Sequence, residues 1–256
     1  MQDIVLIHGA WAGSWVWDGI VPGLRAAGFR PHALDLPGNG SDGLPAAEVT
    51  LERYVEHVLA CLARLSGRAC LVAHSGGGVT ATQVAEAAPD KVAGVIYVAG
   101  MMLPSGMSFA ELMAPLKAAD PEAAGIVPHL RWNDDRSASS VPPEAARRIF
   151  FQNAPAEAAV AAAARLTPQP ERARAASPRW TAERFGRVPR LYIEALEDRS
   201  VVPAAQRRMQ ALVPGARVVS LRSDHAPQLS APAELLVAMR PFLAELAAAA
   251  EGTAVA

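Results

Sequence analysis

The chain is predicted to be an α/β protein: a mostly parallel sheet of about six strands, helices on both faces, and one insertion. Three observations predict it. Strand-like apolar runs alternate with helix-like stretches through residues 1–100 and again through 189–246, and such alternation favours a parallel sheet covered on both faces. The alternation stops once, between residues 101 and 188. The 256 residues, 51% of them apolar, are ample for one core.

Strands are expected near residues 3–8, 30–35, 69–74, 92–99, 190–196 and 216–221. The first, Asp3-Ile4-Val5-Leu6-Ile7, runs into His8-Gly9-Ala10-Trp11-Ala12-Gly13, a loop that its glycines allow to turn back. Gly28 and Pro89 mark helix ends before the second and fourth strands. Thr50 caps the clearest helix, in which Leu51, Tyr54, Val55, Val58, Leu59, Leu62 and Leu65 recur at helical spacing; that stripe is core. The last helix starts near Ser230 with Pro232 in its first turn. Pro241 should bend or break it, and the Ala-rich tail 247–256 should fray. The insertion, 101–188, shows no strong strand pattern and reads as mixed helices and turns. Its Met101, Met102, Met107, Met113, Trp132, Phe150, Phe151 and Trp180 suit the walls of an apolar pocket. Met101 and Trp132, with Trp11 from the first loop, are the candidate substrate-pocket residues.

The chemistry centres on Leu71-Val72-Ala73-His74-Ser75-Gly76-Gly77-Gly78. An apolar strand ends in a serine with small neighbours, and a helix follows at once. That is the pattern of a nucleophile elbow, where a tightly wound backbone leaves no room for side chains two residues either side of the serine, here Ala73 and Gly77. A nucleophilic serine needs a base, an acid to orient the base, and an oxyanion site. On this architecture the order is Ser, acid, His. Of six histidines, His225 alone follows a late strand and precedes the last helix. The acid should leave the preceding strand, Arg190 to Leu196. Asp198 lies just beyond that apolar run, whereas Glu194 is within it, Glu197 can face away, and Asp224 adjoins the histidine too closely to face it. The oxyanion hole should use the main-chain N–H groups of Gly76 and Ala10.

With these residues in place the chain resembles the α/β-hydrolase superfamily over nearly its whole length. His8-Gly9-Ala10-Trp11, the elbow and Asp224-His225-Ala226-Pro227-Gln228-Leu229-Ser230 resemble the branch of plant methylesterases and hydroxynitrile lyases. Arg190 to Leu196 and Gln206-Arg207-Arg208-Met209-Gln210 are closer still to bacterial carboxylesterases of the pyrethroid-hydrolase type. The resemblance implies the α/β-hydrolase fold, with the insertion 101–188 as an inserted cap over the active site, and a cofactor-free serine hydrolase of small, largely apolar esters. It places the triad on Ser75, Asp198 and His225 and the oxyanion donors on Ala10 and Gly76. Two other roles share this fold: a lyase using the triad as a base, and a ligand receptor with little turnover. Hydroxynitrile lyases carry a lysine where this chain has Ala226, and a threonine where it has Gly9 or Ala10. Both departures speak against a lyase. Ser75 excludes the aspartate-nucleophile chemistry of related dehalogenases and epoxide hydrolases.

Composition excludes other classes. With 24 basic and 25 acidic residues the net charge is −1, so neither nucleic acid nor an anionic membrane is an expected partner. The longest apolar stretches are of strand length. Met1 precedes the first strand with no leader-like segment, so a cytoplasmic enzyme is expected. Cys61 and Cys70 read as small core residues, and no Cys/His cluster has metal spacing. No cofactor is expected. The partner is a small-molecule ester, and a homodimer is left open.

Overall fold

Alternation within the first strand sets the layers. In β1 (Asp3–Ile7), Val5 and Ile7 enter one hydrophobic core while Ile4 and Leu6 enter a second on the opposite face. The computed structural model describes residues 2–39 and 42–253. β2 (Arg30–Leu34), β3 (Ala69–His74) and β4 (Val92–Val98) precede the insertion. Within it lie the short strands β5 (Arg131–Trp132), β6 (Ala138–Ser140) and β7 (Gln169–Pro170), and after it β8 (Arg190–Ala195) and β9 (Ala216–Leu221). The main sheet has the order β2-β1-β3-β4-β8-β9, and every neighbouring pair is parallel. β1, β3, β4 and β8 are buried along their whole length, as strands covered on both faces must be.

Helices α1 (Val21–Ala26), α2 (Leu51–Ala63) and α3 (Gly77–Ala87) precede the insertion, which contributes α4 (Phe109–Ala119), α5 (Pro143–Ile149), α6 (Ala156–Ala164) and the single turn α7 (Glu171–Arg174). α8 (Pro203–Leu212), α9 (Pro227–Ser230) and α10 (Pro232–Thr253) follow it. Tyr54, Val58 and Leu62 of α2, Val84 of α3 and Met209 of α8 fill the core on the Val5 face. Leu24 of α1 with Leu235, Met239 and Phe242 of α10 fill the other. Each such large side chain stabilises the fold by about 1.5–3 kcal/mol. A third cluster joins Ile149 of α5, Ala159 of α6, Phe150 and Phe151 to Trp11 and Ala226, which seats the insertion on the carboxyl end of the sheet.

The strand order reverses between β1 and β3, because the chain places β2 on one side of β1 and then crosses to the other. A crevice opens outside the carboxyl ends of strands at such a switch point. The loop holding Ala10 leaves β1 there, and Ser75 leaves β3 there.

Two expectations need correction. The insertion holds a three-stranded sheet, β5-β6-β7, not helices and turns alone. These strands are two or three residues long, too short to show a period. The last helix neither breaks at Pro241 nor ends at Ala247 but continues to Thr253. Pro241 and Val237, whose carbonyl loses its partner, are both exposed, on the side of the helix where the loss of one hydrogen bond is least costly, and the Ala-rich stretch beyond favours helix. Residues 254–256 of the expected tail lie outside the described residues.

α3 packs directly against the last carbonyls of β1. A Cβ on Gly77 would lie 2.5 Å from the His8 oxygen and 2.9 Å from that of Ile7. Gly77→Ala should therefore destabilise by about 1–3 kcal/mol, the usual cost of overpacking. Gly67→Ala, where a Cβ meets nothing within 4 Å, should be close to neutral. Urea unfolding of the two variants checks this contrast, and equal stabilities would contradict it.

Candidate active site

Ser75 caps β3 with φ at 51°, a left-handed conformation that a serine adopts only under constraint. Main-chain bonds supply that constraint. Its N–H donates to Val98 O at 3.2 Å, and its carbonyl accepts from Gly78 N at 3.0 Å and Met101 N at 2.8 Å. The conformation aims the hydroxyl at His225, with Ser75 Oγ 3.0 Å from Nε2. On the other edge of the ring, Nδ1 lies 2.7 Å from Asp198 Oδ2. A carboxylate can only accept, so Nδ1 carries the proton and Nε2 is left to accept the serine's.

Asp198 is itself held. Its Oδ1 accepts from the N–H groups of Ser200 at 2.7 Å and Val201 at 2.9 Å. Gln206 of α8 fastens the same loop to β8. Its Oε1 accepts from Ala195 N at 3.0 Å, and its Nε2 donates to Ala195 O at 3.0 Å and Val201 O at 2.7 Å. The other acids considered in the sequence are engaged elsewhere. Glu194 pairs with Arg207 and Ser220, and Glu197 binds Asn153 and Arg222. Asp224 caps α9 through Ala226 N and Ser230 Oγ and accepts from Asn153 N of the insertion.

Two buried histidines set the surrounding backbone. His74 Nε2 donates to the carbonyl of His225 at 2.7 Å, and the two ring centroids are 4.7 Å apart. Burial, reinforced by the neighbouring His225, pushes the His74 pKa well below its ordinary value. A neutral His74 places no positive charge beside the base. His8 Nδ1 donates to Gly9 O at 2.7 Å, while its Nε2 accepts from Leu36 N at 3.0 Å. Burial lowers this pKa too, so the acceptor role persists. The Gly9 carbonyl belongs to the same trans peptide as the Ala10 N–H, so fixing one turns the other the opposite way. The N–H groups of Ala10 and Gly76 donate to no described residue, and a Cβ on Gly76 would lie 3.7 Å from Ala10 N. Two free donors therefore stand side by side next to Ser75. Gly9 permits this approach, because a Cβ there would sit 2.8 Å from that of Ser75.

Over Ser75 and His225 lies a cavity of about 20 Å³, walled by Trp11, Ala12, Val16, Phe150, Phe151, Leu166 and Gln228. That is room for about one water. A second of about 20 Å³ lies beyond Ala10 and Gly76, lined by Tyr54, Thr80, Gln169 and Arg174. A much larger cavity, about 910 Å³, runs between α4, α5 and the loop from Asp198 to Ala204. Ser75 does not border it, and size does not make it the reaction site. Of the expected pocket residues, Trp11 lines the Ser75 cavity, its ring stacked on Phe150 and its indole N–H donating to Ser139 Oγ at 3.0 Å. Trp132 is a correction. It is exposed on β5 beneath the Arg136 guanidinium, 4.4 Å from the ring centre, and faces solvent because its two-residue strand is fully exposed. Met101 also does not line the cavity; its N–H is committed to Ser75 O and its partly buried side chain packs into the Val5-face core. Sequence reading missed the positioning roles of His8, His74 and Gln206. Adjacency to the elbow is the one signal for His74, and nothing local marks Gln206. Among the described residues no group of three or more His, Cys, Asp or Glu is placed to hold a metal ion, and no helix is long and apolar enough to cross a membrane.

Comparison with known proteins adds a family. Residues 4–239 match the family model described as the alpha/beta hydrolase family. A pyrethroid hydrolase from Sphingobium wenxiniae is 35% identical over 255 residues, covering 94% of this chain and 88% of that protein. Methylesterase 17 of Arabidopsis thaliana is 28% identical, over 89% of this chain and 86% of its own. The crystal structure of a pyrethroid hydrolase from Sphingobium faniae JZ-2 superposes with a TM-score of 0.82 at 33% identity, covering 94% of this chain and 96% of that one.

The two neutral histidines carry a pH signature. Both are held below the ordinary 6.5, so below that pH the unfolded chain binds protons that the folded one refuses. Stability is thus full above 6.5 and lost as pH falls through and below it. Each histidine should add up to about 1.4 kcal/mol per pH unit to the slope. Urea unfolding between about pH 7 and 5 should show this loss, and His74→Gln should reduce the slope by roughly one proton's worth. An unchanged slope would mean that His74 is already charged in the fold.

Proposed function

The chain belongs to the alpha/beta hydrolase family and is a carboxylic ester hydrolase, and we propose that it cleaves small, largely apolar esters through an acyl-enzyme on Ser75. One observation carries this reading: a continuous chain of contacts from Ser75 Oγ to His225 to Asp198, beside two uncommitted N–H groups. His225 Nε2 takes the hydroxyl proton as Oγ attacks the ester carbonyl. Asp198 holds the ring in the Nδ1–H tautomer and stabilises its cationic form. The N–H groups of Ala10 and Gly76 receive the oxyanion. The C–O bond to the alcohol then breaks, and the alcohol leaves with the proton from His225. Water, deprotonated by the same imidazole, attacks the acyl-enzyme and restores Ser75.

The walls support an apolar substrate. Trp11, Val16, Phe150, Phe151 and Leu166 present carbon to the space over Ser75. An ester buried there gains about 0.8 kcal/mol per methylene, roughly fourfold in kcat/KM when the transition state keeps the contact. A space this small admits an ester only if the aromatic wall moves. Phe150 and Phe151 lie in the turn between α5 and α6, so this turn is the element to shift. Relatives named as pyrethroid hydrolases make hydrophobic esters of that kind a sensible first panel.

Ser75→Ala should lower kcat roughly 10⁴-fold or more, and Asp198→Asn on the order of 10⁴-fold with the fold retained. Glu194→Gln, Glu197→Gln and Asp224→Asn should each cost far less. A fluorophosphonate probe should label Ser75 and no other residue. Labelling elsewhere, or full activity in Ser75→Ala, would remove the nucleophile from this scheme. Fast release of cyanide from mandelonitrile would replace the esterase reading with a lyase.

A further inference from the structure

Besides His74, whose Nε2 holds the His225 carbonyl and whose Nδ1 has no partner among the described residues, the wall over Ser75 contains one polar side chain with no role assigned so far. Gln228, in the first half of α9, is 1% exposed, and neither its Oε1 nor its Nε2 has a hydrogen-bond partner among the described residues. The other buried glutamines are saturated. Gln169 accepts from Trp11 N and Asn39 Nδ2 and donates to Tyr54 Oη and Pro170 O. Gln206 makes the bonds that fasten the acid loop. No other described amide leaves both ends unpaired and buried. An unpaired buried amide is destabilising, and native folds keep few of them without a reason. Here the reason is the place. Gln228 borders the cavity over Ser75 beside Val16, Phe151 and Leu166, and apart from Ser75 and the two histidines the rest of that wall is apolar. Such isolated polar groups are what orient a ligand in an otherwise apolar pocket.

The imidazole fixes which part of the ester Gln228 meets. The leaving oxygen must reach His225 Nε2 to take its proton. His225 borders the same cavity as Gln228, which puts Gln228 within reach of the alcohol portion. We propose that Gln228 is a specificity-determining residue whose carboxamide hydrogen-bonds a neutral polar atom on the alcohol portion of the substrate. The preferred substrates are then esters of an apolar alcohol bearing one ether, carbonyl, nitrile or hydroxyl group. An amide both donates and accepts but carries no charge, so a charged alcohol gains nothing there. This assignment rests on the esterase reading.

Butyl benzoate and methoxyethyl benzoate test it, since they differ by one oxygen in place of a methylene within the alcohol. The wild type should favour the methoxyethyl ester in kcat/KM, and Gln228→Met should reduce that preference by roughly tenfold. The melting temperature should hold or rise, because an unpaired amide has been removed. An unchanged preference overturns the proposal. So does an equal loss on both esters with a lower melting temperature, which would make the amide structural. A matched pair of methyl esters with the ether oxygen in the acyl chain should show no change; a change confined to that pair would overturn the alcohol assignment. Should Gln228→Met not fold, Gln228→Asn, which withdraws the amide by one methylene, is read in the same way. If the wild type hydrolyses no ester, the esterase reading fails separately. Binding of the two benzoates to Ser75→Ala, with and without Gln228→Met, then decides the subsite: tighter binding of the methoxyethyl ester that Gln228→Met abolishes supports it, and equal or absent binding overturns it.

Discussion

Everything at the site depends on how closely the β1 loop lies against the β3 elbow. A side chain at Gly9 would meet Ser75 Cβ at 2.8 Å, and one at Gly77 would meet the carbonyl of His8 at 2.5 Å. The absence of two Cβ atoms lets two strand ends touch. The consequences are geometric. Ala10 N–H comes within reach of whatever is bonded to Ser75, and the first turn of α3 can start directly behind the nucleophile with Gly76 N–H uncommitted. A side chain at either position would push loop and elbow apart and separate the two N–H groups, and donors of an oxyanion site act only at hydrogen-bonding distance.

Polar positioning around this contact is nearly complete, and it is done by neutral groups. A second positive charge beside His225 would oppose the imidazolium that forms during proton transfer. Instead a neutral imidazole, His74, donates to the main chain of His225, and a neutral amide, Gln206, fastens the loop of Asp198. The one acid in contact with the ring is kept acceptor-only on its far oxygen by two main-chain N–H groups. Each group therefore has one tautomer and one orientation that satisfies its partners, so the imidazole is ready before a substrate arrives.

The sequence made the sheet and the candidate triad legible. The six strands of the main sheet lie within one residue of where the sequence predicts them, and for β1, β3, β4 and β8 the reason is that buried parallel strands are largely apolar runs closed by turn residues. Ser75, Asp198 and His225 stand at strand ends, where chain order alone predicts their meeting. What was not legible was set by contacts distant in sequence. Trp132 has the composition of a pocket residue, yet its solvent-facing place follows from pairing with Ser139 in a strand three residues long. Gln206 lies eight residues past Asp198 on a helix whose turn happens to face it, and Gln228 is distinguished only by the bonds it lacks. The path of α10 through Pro241 depended on that residue lying on the exposed side of the helix.

Strain is not spread evenly over this fold. Among the described residues four non-glycine positions have positive φ. Arg136 turns the β5–β6 hairpin, while Trp11, Ser75 and Ala99 follow the carboxyl ends of β1, β3 and β4. Those are three adjacent strands of the sheet, meeting at its switch point. Each such residue costs about 1–3 kcal/mol, and the cost persists only where surrounding bonds over-determine the backbone. Here Trp11 N is held by Gln169, Ser75 N by Val98 O and Ala99 N by Ile193 O. The deep apolar layers on both faces of the sheet supply the stability that this row of strained residues spends. The same concentration explains why the unpaired Gln228 is tolerated in the neighbouring wall. A region already held by its surroundings can keep a polar group unmatched, ready for a ligand to complete.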